Sequence, residues 1–306
     1  MLVILAEYTH LKRLLLMVLI STVMIFTSCN KFEGDITIPA YLQVDTIYFS
    51  TDYTVQGENT HEITDLWIYV DDQQMGVFEL PAKFPLLYNG KHKLEIRAGI
   101  KLNGISSTRT PNPMMKPIVF NDFEFHPDSV QKLNNLVFQY YNTVKFAWIE
   151  NFESGNLTIE ETSNSDTSIR ITSPANNPEA YLSENSKYSG IINLSNSRSF
   201  YNGWTFSSYE LPGLESPAFL EMDFKTDNYM TVGLLVSYSG GYKSVPLVVL
   251  NYSEEWNHIY INLTPTISQY PGAYNFKILF EAALDKDKAL ANIYLDNLKL
   301  MYRDNN

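Results

Sequence analysis

The feature that most restricts this chain is the period of its apolar residues, which recur at every second position in short runs closed by turn residues. His92-Lys93-Leu94-Glu95-Ile96-Arg97 and Trp256-Asn257-His258-Ile259-Tyr260-Ile261 are examples. A period of two turns one side of extended backbone toward a core and the other toward water, whereas an amphipathic helix needs a period near 3.6. Of the 306 residues, 45% are hydrophobic, enough for a sizeable core, and 21 Tyr and 17 Phe with only 18% charged residues suit pleated surfaces. The chain is therefore expected to be all-β.

The first 28 residues read as an export signal. Lys12 and Arg13 precede an unbroken apolar and small-residue run from Leu14 to Phe26. As a helix that run spans about 20 Å, short of the roughly 30 Å hydrocarbon core, so it is not a permanent span. It ends in Phe26-Thr27-Ser28-Cys29, which resembles the signal of bacterial lipoproteins. That resemblance implies acylation of Cys29, which would become the mature N-terminus, and a membrane attachment made through lipid. Residues 29–35 then form a polar tether, in which Lys31, Glu33 and Asp35 resemble the charged signals that send lipoproteins of the Bacteroidetes type to the outer face. The expected location is the outer membrane, at the cell surface. Cys29 is the single cysteine, so disulfides and multi-cysteine metal sites are excluded. The net charge of −12 repels a phosphate backbone and argues against nucleic acid as a partner.

Residues 36–146 carry alternating runs between strong turn signals. Leu66 to Val70 ends at the polar tetrad Asp71-Asp72-Gln73-Gln74, the next run is interrupted by Pro81 and Pro85, and Asn89-Gly90 precedes the His92–Arg97 run. The stretch from Trp67 to Gly99 resembles the PEGA class of small Ig-like surface modules, which implies an Ig-like β-sandwich. Asn103 to Pro117, with three prolines, fits a loop or a sheet edge.

Residues 147–303 open near Phe152-Glu153-Ser154-Gly155 and close on Tyr294-Leu295-Asp296-Asn297-Leu298-Lys299-Leu300. These ends resemble the galactose-binding-like jelly rolls common among carbohydrate-binding modules, implying a β jelly-roll sandwich of about this size. In such folds a structural calcium ties the first strand to the last, and Glu153 with Asp296 occupy the matching ends here.

Catalytic motifs are absent. No GxxxxGK[ST], GxGxxG or GxSxG occurs, and His61, His92, His126 and His258 are widely separated in sequence and read as unpaired. Glu221, Asp223 and Lys225 alternate as do the carboxyls of glycosidases built on a related sandwich. The lysine stands where a second acid is needed, so the pair reads as the polar side of a half-exposed strand. No enzyme is expected. For binding, Tyr201, Trp204 and Tyr242 lie in Gly- and Ser-containing text, and Asn202-Gly203 reads as a turn that would push the Trp204 indole outward. Trp256, inside an alternating run, is expected in the core. The resulting expectation is a lipid-anchored, non-catalytic envelope protein that binds glycan through its second sandwich; the alternative is an assembly lipoprotein gripping another envelope protein.

Overall fold

The computed structural model describes residues 38–213 and 216–304. The export segment, the tether and Cys29 lie outside the described residues. Alternation in the first part of the chain becomes β1 (Ala40–Val44), β2 (Ile47–Phe49), the helical turn α1 (Tyr53–Gln56), β3 (Asp65–Val70), β4 (Gln73–Glu79), β5 (Ala82–Leu86), β6 (Gly90–Lys101), β7 (Arg109–Pro111), β8 (Ile118–Phe125), β9 (Val130–Lys132) and β10 (Leu136–Phe138). The β3–β4 hairpin forms where the acidic tetrad stands. Asp71 and Asp72 both take positive φ, 49° and 64°, a conformation that short polar side chains tolerate and that matches the twist of paired strands. β4, β3, β6 and β7 form a sheet that β8 joins through β6, while β5-β1-β9 and β10-β2 make two smaller sheets. Leu42, Leu66, Ile68, Phe84, Leu94, Ile96 and Phe138 from these sheets share one core. The proline-rich segment supplies the short edge strand β7, as its prolines require.

The remainder forms β11 (Val144–Glu150), β12 (Ile159–Glu161), β13 (Ile169–Thr172), β14 (Ser189–Ser195), β15 (Phe200–Thr205), β16 (Ala218–Thr226), β17 (Met230–Tyr238), β18 (Gly241–Leu250), β19 (Ser253–Asn262), the short helix α2 (Thr264–Gln269), β20 (Asn275–Ala283) and β21 (Leu290–Arg303). Two sheets result, one six-stranded with the order β13-β14-β21-β16-β19 and β11 on β21, the other five-stranded with the order β12-β15-β20-β17-β18. Both are antiparallel throughout. Leu220, Met222, Phe224, Ile293 and Leu295 of the first sheet meet Val232, Leu234, Val236, Ile278 and Phe280 of the second in one apolar cluster. The molecule is thus an all-β chain in which a first set of sheets is followed by a jelly-roll sandwich. Among the described residues no helix is long and apolar enough to cross a membrane.

The two sandwiches are joined over part of the outer face of the six-stranded sheet. Phe219, Tyr260 and Met301, which point away from their own core, are buried in the core of the first sandwich. Leu102 bridges Tyr260, Asn103 Oδ1 accepts from the Asn262 amide at 2.8 Å, and the Tyr260 hydroxyl accepts from the Glu62 amide at 3.0 Å.

Candidate functional site

Each sheet of the second sandwich sends every other side chain outward, and the two outward faces differ in what meets them. On the six-stranded sheet the outward residues are Phe219, Glu221, Asp223 and Lys225 of β16, Trp256, His258 and Tyr260 of β19, and Tyr294, Asp296, Lys299 and Met301 of β21. Beyond the apolar end held by the first sandwich comes a charged row that is also buried: Glu221, Asp296 and Lys299 are 0% exposed and Asp223 3%. The expected half-exposed polar strand is therefore not what forms. Residues 57–62 of the first sandwich lie over this row, and the Lys299 ammonium donates to the Glu58 carbonyl. Each charge needs partners at such depth. The Tyr140 hydroxyl donates to Glu221 at 2.6 Å, His258 Nδ1 to Asp223 at 2.6 Å, Asn297 Nδ2 to Asp223 at 2.8 Å and Ser186 Oγ to Asp296 at 2.9 Å. His258, read from sequence as unpaired, is a paired histidine because β16 and β19 are neighbours with Asp223 opposite it.

Burial governs protonation here. It pushes the Asp296 carboxyl well above the usual carboxylate range, against hydrogen bonds that favour the anion. It lowers the Lys299 ammonium, which the nearby Glu221 charge partly restores, and raises the Tyr140 phenol, helped by the Glu221 charge. His61, from the covering segment, is lowered to about 4 by burial and then by His258.

Past the charged row this face opens again. Tyr181 and Trp256 meet edge to face with centroids 5.2 Å apart, and the Trp256 indole N–H donates to the Glu179 carbonyl at 3.0 Å. Trp256 is half-buried beside a cavity rather than in the core. Its β19 position is outward because Ile259 and Ile261 of the same strand face inward.

Among the described residues, no segment of the first sandwich lies over the outward face of the five-stranded sheet. Trp204 on β15 stands opposite Glu160 of β12 and Leu279 of β20. Its indole N–H donates to Glu160 at 2.8 Å, and the Lys277 ammonium donates to the same carboxylate oxygen at 3.0 Å while lying 5.3 Å from the indole centre. The Lys277 and Trp204 hydrogen bonds hold the Glu160 carboxyl below its ordinary value. One row along, Asn202 Nδ2 donates to Glu281 at 2.8 Å and Asn202 Oδ1 accepts from the Thr162 hydroxyl at 2.8 Å.

The sequence-expected ligand residues separate on this geometry. Asn202-Gly203 is not a turn but mid-strand. The glycine is there because the Tyr201 ring folds across it: a Cβ at Gly203 would sit 2.4 Å from the Tyr201 hydroxyl. Tyr201 is 0% exposed and belongs to the core, so it cannot stack on a ligand. Trp204 does point outward, by strand alternation rather than by a turn. Tyr242, 74% exposed near the β17–β18 hairpin, stands opposite Ser237, so it shares the face of Trp204, roughly 20 Å away across β20 and β17. Phe206, just past the end of β15, is also exposed, at 67%, and no sequence signal marks it.

Glu153 and Asp296, the expected calcium ligands, are both engaged by hydrogen bonds within the protein. Glu153 accepts the Lys187 and Tyr188 amides at 2.6 and 2.8 Å, and Asp296 accepts the Asn297 amide at 2.7 Å besides Ser186. One oxygen of Glu153 and both oxygens of Asp296 thus have donors. Among the described residues no three His, Cys, Asp or Glu side chains are placed to hold a metal ion.

No protein-family model matches the chain, and no curated protein does. Among solved structures, it is similar to the xylan-binding domain CBM22-2 of Paenibacillus barcinonensis Xyn10C, with 12% identity over 52% of this chain and 99% of that one, TM-score 0.38. It is also similar to a family 61 carbohydrate-binding module solved with β-1,4-galactotriose, with 17% identity over 50% and 94%, TM-score 0.33. A third similarity is to the enzymatically active domain of a bacteriophage CBA120 tailspike, with 12% identity over 47% of this chain and 19% of that one, TM-score 0.35. At these scores the likeness is one of general architecture and does not carry a ligand over to this chain.

Proposed function

We propose that this chain is a non-catalytic glycan-binding protein, held at the outer membrane by lipid on Cys29 and facing the cell surface. The observation that carries the binding reading is the outward Trp204 indole beside Glu160, Lys277, Asn202 and Glu281, on the same uncovered sheet face as Tyr242. Sugar rings offer apolar C–H faces to an indole and hydroxyls to the charged and amide groups around it. A hydrolytic reading has no support in the Glu221–Asp223 pair, because both are buried under the first sandwich and engaged by Tyr140, His258 and Asn297. Anchoring is supported by the short apolar run ending at Thr27-Ser28-Cys29.

The test of binding is a glycan array probed with the wild type and with Trp204→Ala. Loss of about tenfold or more in affinity is expected, with the melting temperature lowered by only a few degrees. Unchanged affinity for every bound glycan overturns the Trp204 site. For the anchor, metabolic labelling with a palmitate analogue should mark the wild type and not Cys29→Ala.

A further inference from the structure

The seam between the sandwiches holds a second concave surface. A cavity of about 330 Å3 is walled on one side by Asn59, Thr60 and His61 of the first sandwich and on the other by Tyr181, Trp256 and Asn257 of the second. Its volume is in the range of small-molecule sites. A second hollow of about 310 Å3 is lined among others by Lys225, Asp227, Tyr252, Asn292 and Tyr294. Glu179 borders that hollow and its carbonyl accepts from the Trp256 indole N–H, which fixes the ring at the wall of the first cavity. The Tyr294 ring lies 6.2 Å from that of Trp256.

Polar groups line the first cavity: Asn59, Thr60 and Asn257, together with His61 and with His258, whose Nδ1 is held by Asp223. His61 is uncharged at neutral pH, which lets one ring nitrogen donate and the other accept. The charges are mostly negative: Glu62 and Asp223 line the cavity, and Glu179, Asp227 and Glu254 the hollow, where Lys225 is already paired with Glu179. Such surroundings disfavour an anionic ligand.

We infer that this groove is a second glycan site, composite between the two sandwiches, which takes a neutral oligosaccharide laid over Trp256 with one end against residues 59–61. It shares a ligand class with the Trp204 reading but none of its residues. The probe is a panel of neutral oligosaccharides (xylohexaose, cellohexaose, mannohexaose and β-1,4-galactotriose) together with an acidic galacturonate oligomer. These are titrated into the full chain and into Trp204→Ala, Trp256→Ala, Asn257→Ala and His61→Ala, each checked by thermal melting. At least one neutral oligosaccharide should bind Trp204→Ala as it binds wild type at this site, and the acidic oligomer should not. Trp256→Ala should weaken that binding about tenfold, and Asn257→Ala and His61→Ala several-fold. Asn257 is exposed, so its variant keeps the test valid if Trp256→Ala melts early. If Trp204→Ala binds no neutral oligosaccharide, or binds one that the Trp256 and Asn257 variants bind equally well, the groove is not a site. Insensitivity to His61→Ala alone overturns its composite character, whereas loss in Trp204→Ala only leaves the open-face reading standing and removes this one.

Discussion

The two outward faces of the second sandwich have similar residue types and opposite environments. The five-stranded face pairs Lys277 with Glu160, and the six-stranded face sets Lys299 opposite Glu221. In the first pair the side chains are 19% and 41% exposed, while Lys299 and Glu221 are 0% exposed beneath the first sandwich. What differs is the covering layer. A surface pair trades one set of water contacts for another and contributes little, whereas buried charges depend on one another for solvation. The open face can exchange its partners for a ligand's hydroxyls; the covered row cannot, and serves to fix the two sandwiches together.

The strongest way to break that comparison is to remove one lysine from each face. Lys299→Ala leaves Glu221 without its opposite charge and the Glu58 carbonyl without its donor, and should lower stability by about 3–5 kcal/mol. Lys277→Ala should cost less than about 1 kcal/mol. Urea unfolding of both variants checks this, and equal losses would mean that the six-stranded face is not covered in solution.

Acid sharpens the same contrast. His61 has a folded pKa of about 4 against 6.5 when free, so between these values the unfolded chain takes up a proton that the native one refuses. The stability this represents is complete above pH 6.5 and is lost as pH falls toward 4, amounting to roughly 3 kcal/mol. Asp296 acts oppositely: its raised pKa makes the folded chain the better proton binder, so stability declines as pH climbs above the free value. His61→Gln should flatten the rise in urea midpoint between pH 4 and 6.5, and Asp296→Asn should steepen it. A Glu160→Gln variant on the open face should change the slope only around and below pH 4.5, where the unfolded chain takes up a proton that the folded carboxyl resists. An unaltered slope in His61→Gln would show that the covering segment does not bury this ring.

Strand period was legible in the sequence because it is local. It marked the strands on either side of the hairpin at the 71–74 tetrad, whereas the outward direction expected for Trp204 rested on a supposed turn and is due to alternation instead. It also gave the alternation of Glu221, Asp223 and Lys225, but not what lies over them. The cover comes from residues 57–62, some 160 positions earlier in the chain for Glu221, and no local pattern records that contact. The pairing of His258 with Asp223 is hidden for the same reason, as it depends on β16 and β19 being sheet neighbours. Asn202-Gly203 misled because its glycine serves a close approach by the Tyr201 ring, not a turn. Trp256 was drawn toward the core by its apolar strand, yet it falls on the alternate positions that Ile259 and Ile261 leave outward.

The tryptophans offer a smaller test of the same difference. Trp148 packs in the second core at 6% exposure, and its replacement by Ala should cost about 3–5 kcal/mol. Trp204→Ala, which removes a half-buried indole and one hydrogen bond to Glu160, should cost about 1 kcal/mol. Chemical denaturation separates them by midpoint, and a Trp204 loss as large as that of Trp148 would reassign Trp204 to the core.

The smallest expected effect belongs to Tyr242. It is 74% exposed near a hairpin turn, and no hydrogen bond ties its hydroxyl to the rest of the described residues, so Tyr242→Ala should leave the melting temperature unchanged within the effect of about 0.5 kcal/mol usual for surface positions. Its position opposite Ser237 puts it on the Trp204 face but some way along it. A short ligand seated on Trp204 would not reach it, whereas a long one would touch both rings. Affinity for a glycan array's longer oligosaccharides should therefore fall about three- to fivefold in Tyr242→Ala, with shorter members of the same series unaffected. Equal loss for short and long members would place the ligand at the hairpin end instead, and no loss for either would confine the open-face site to Trp204 and its immediate neighbours.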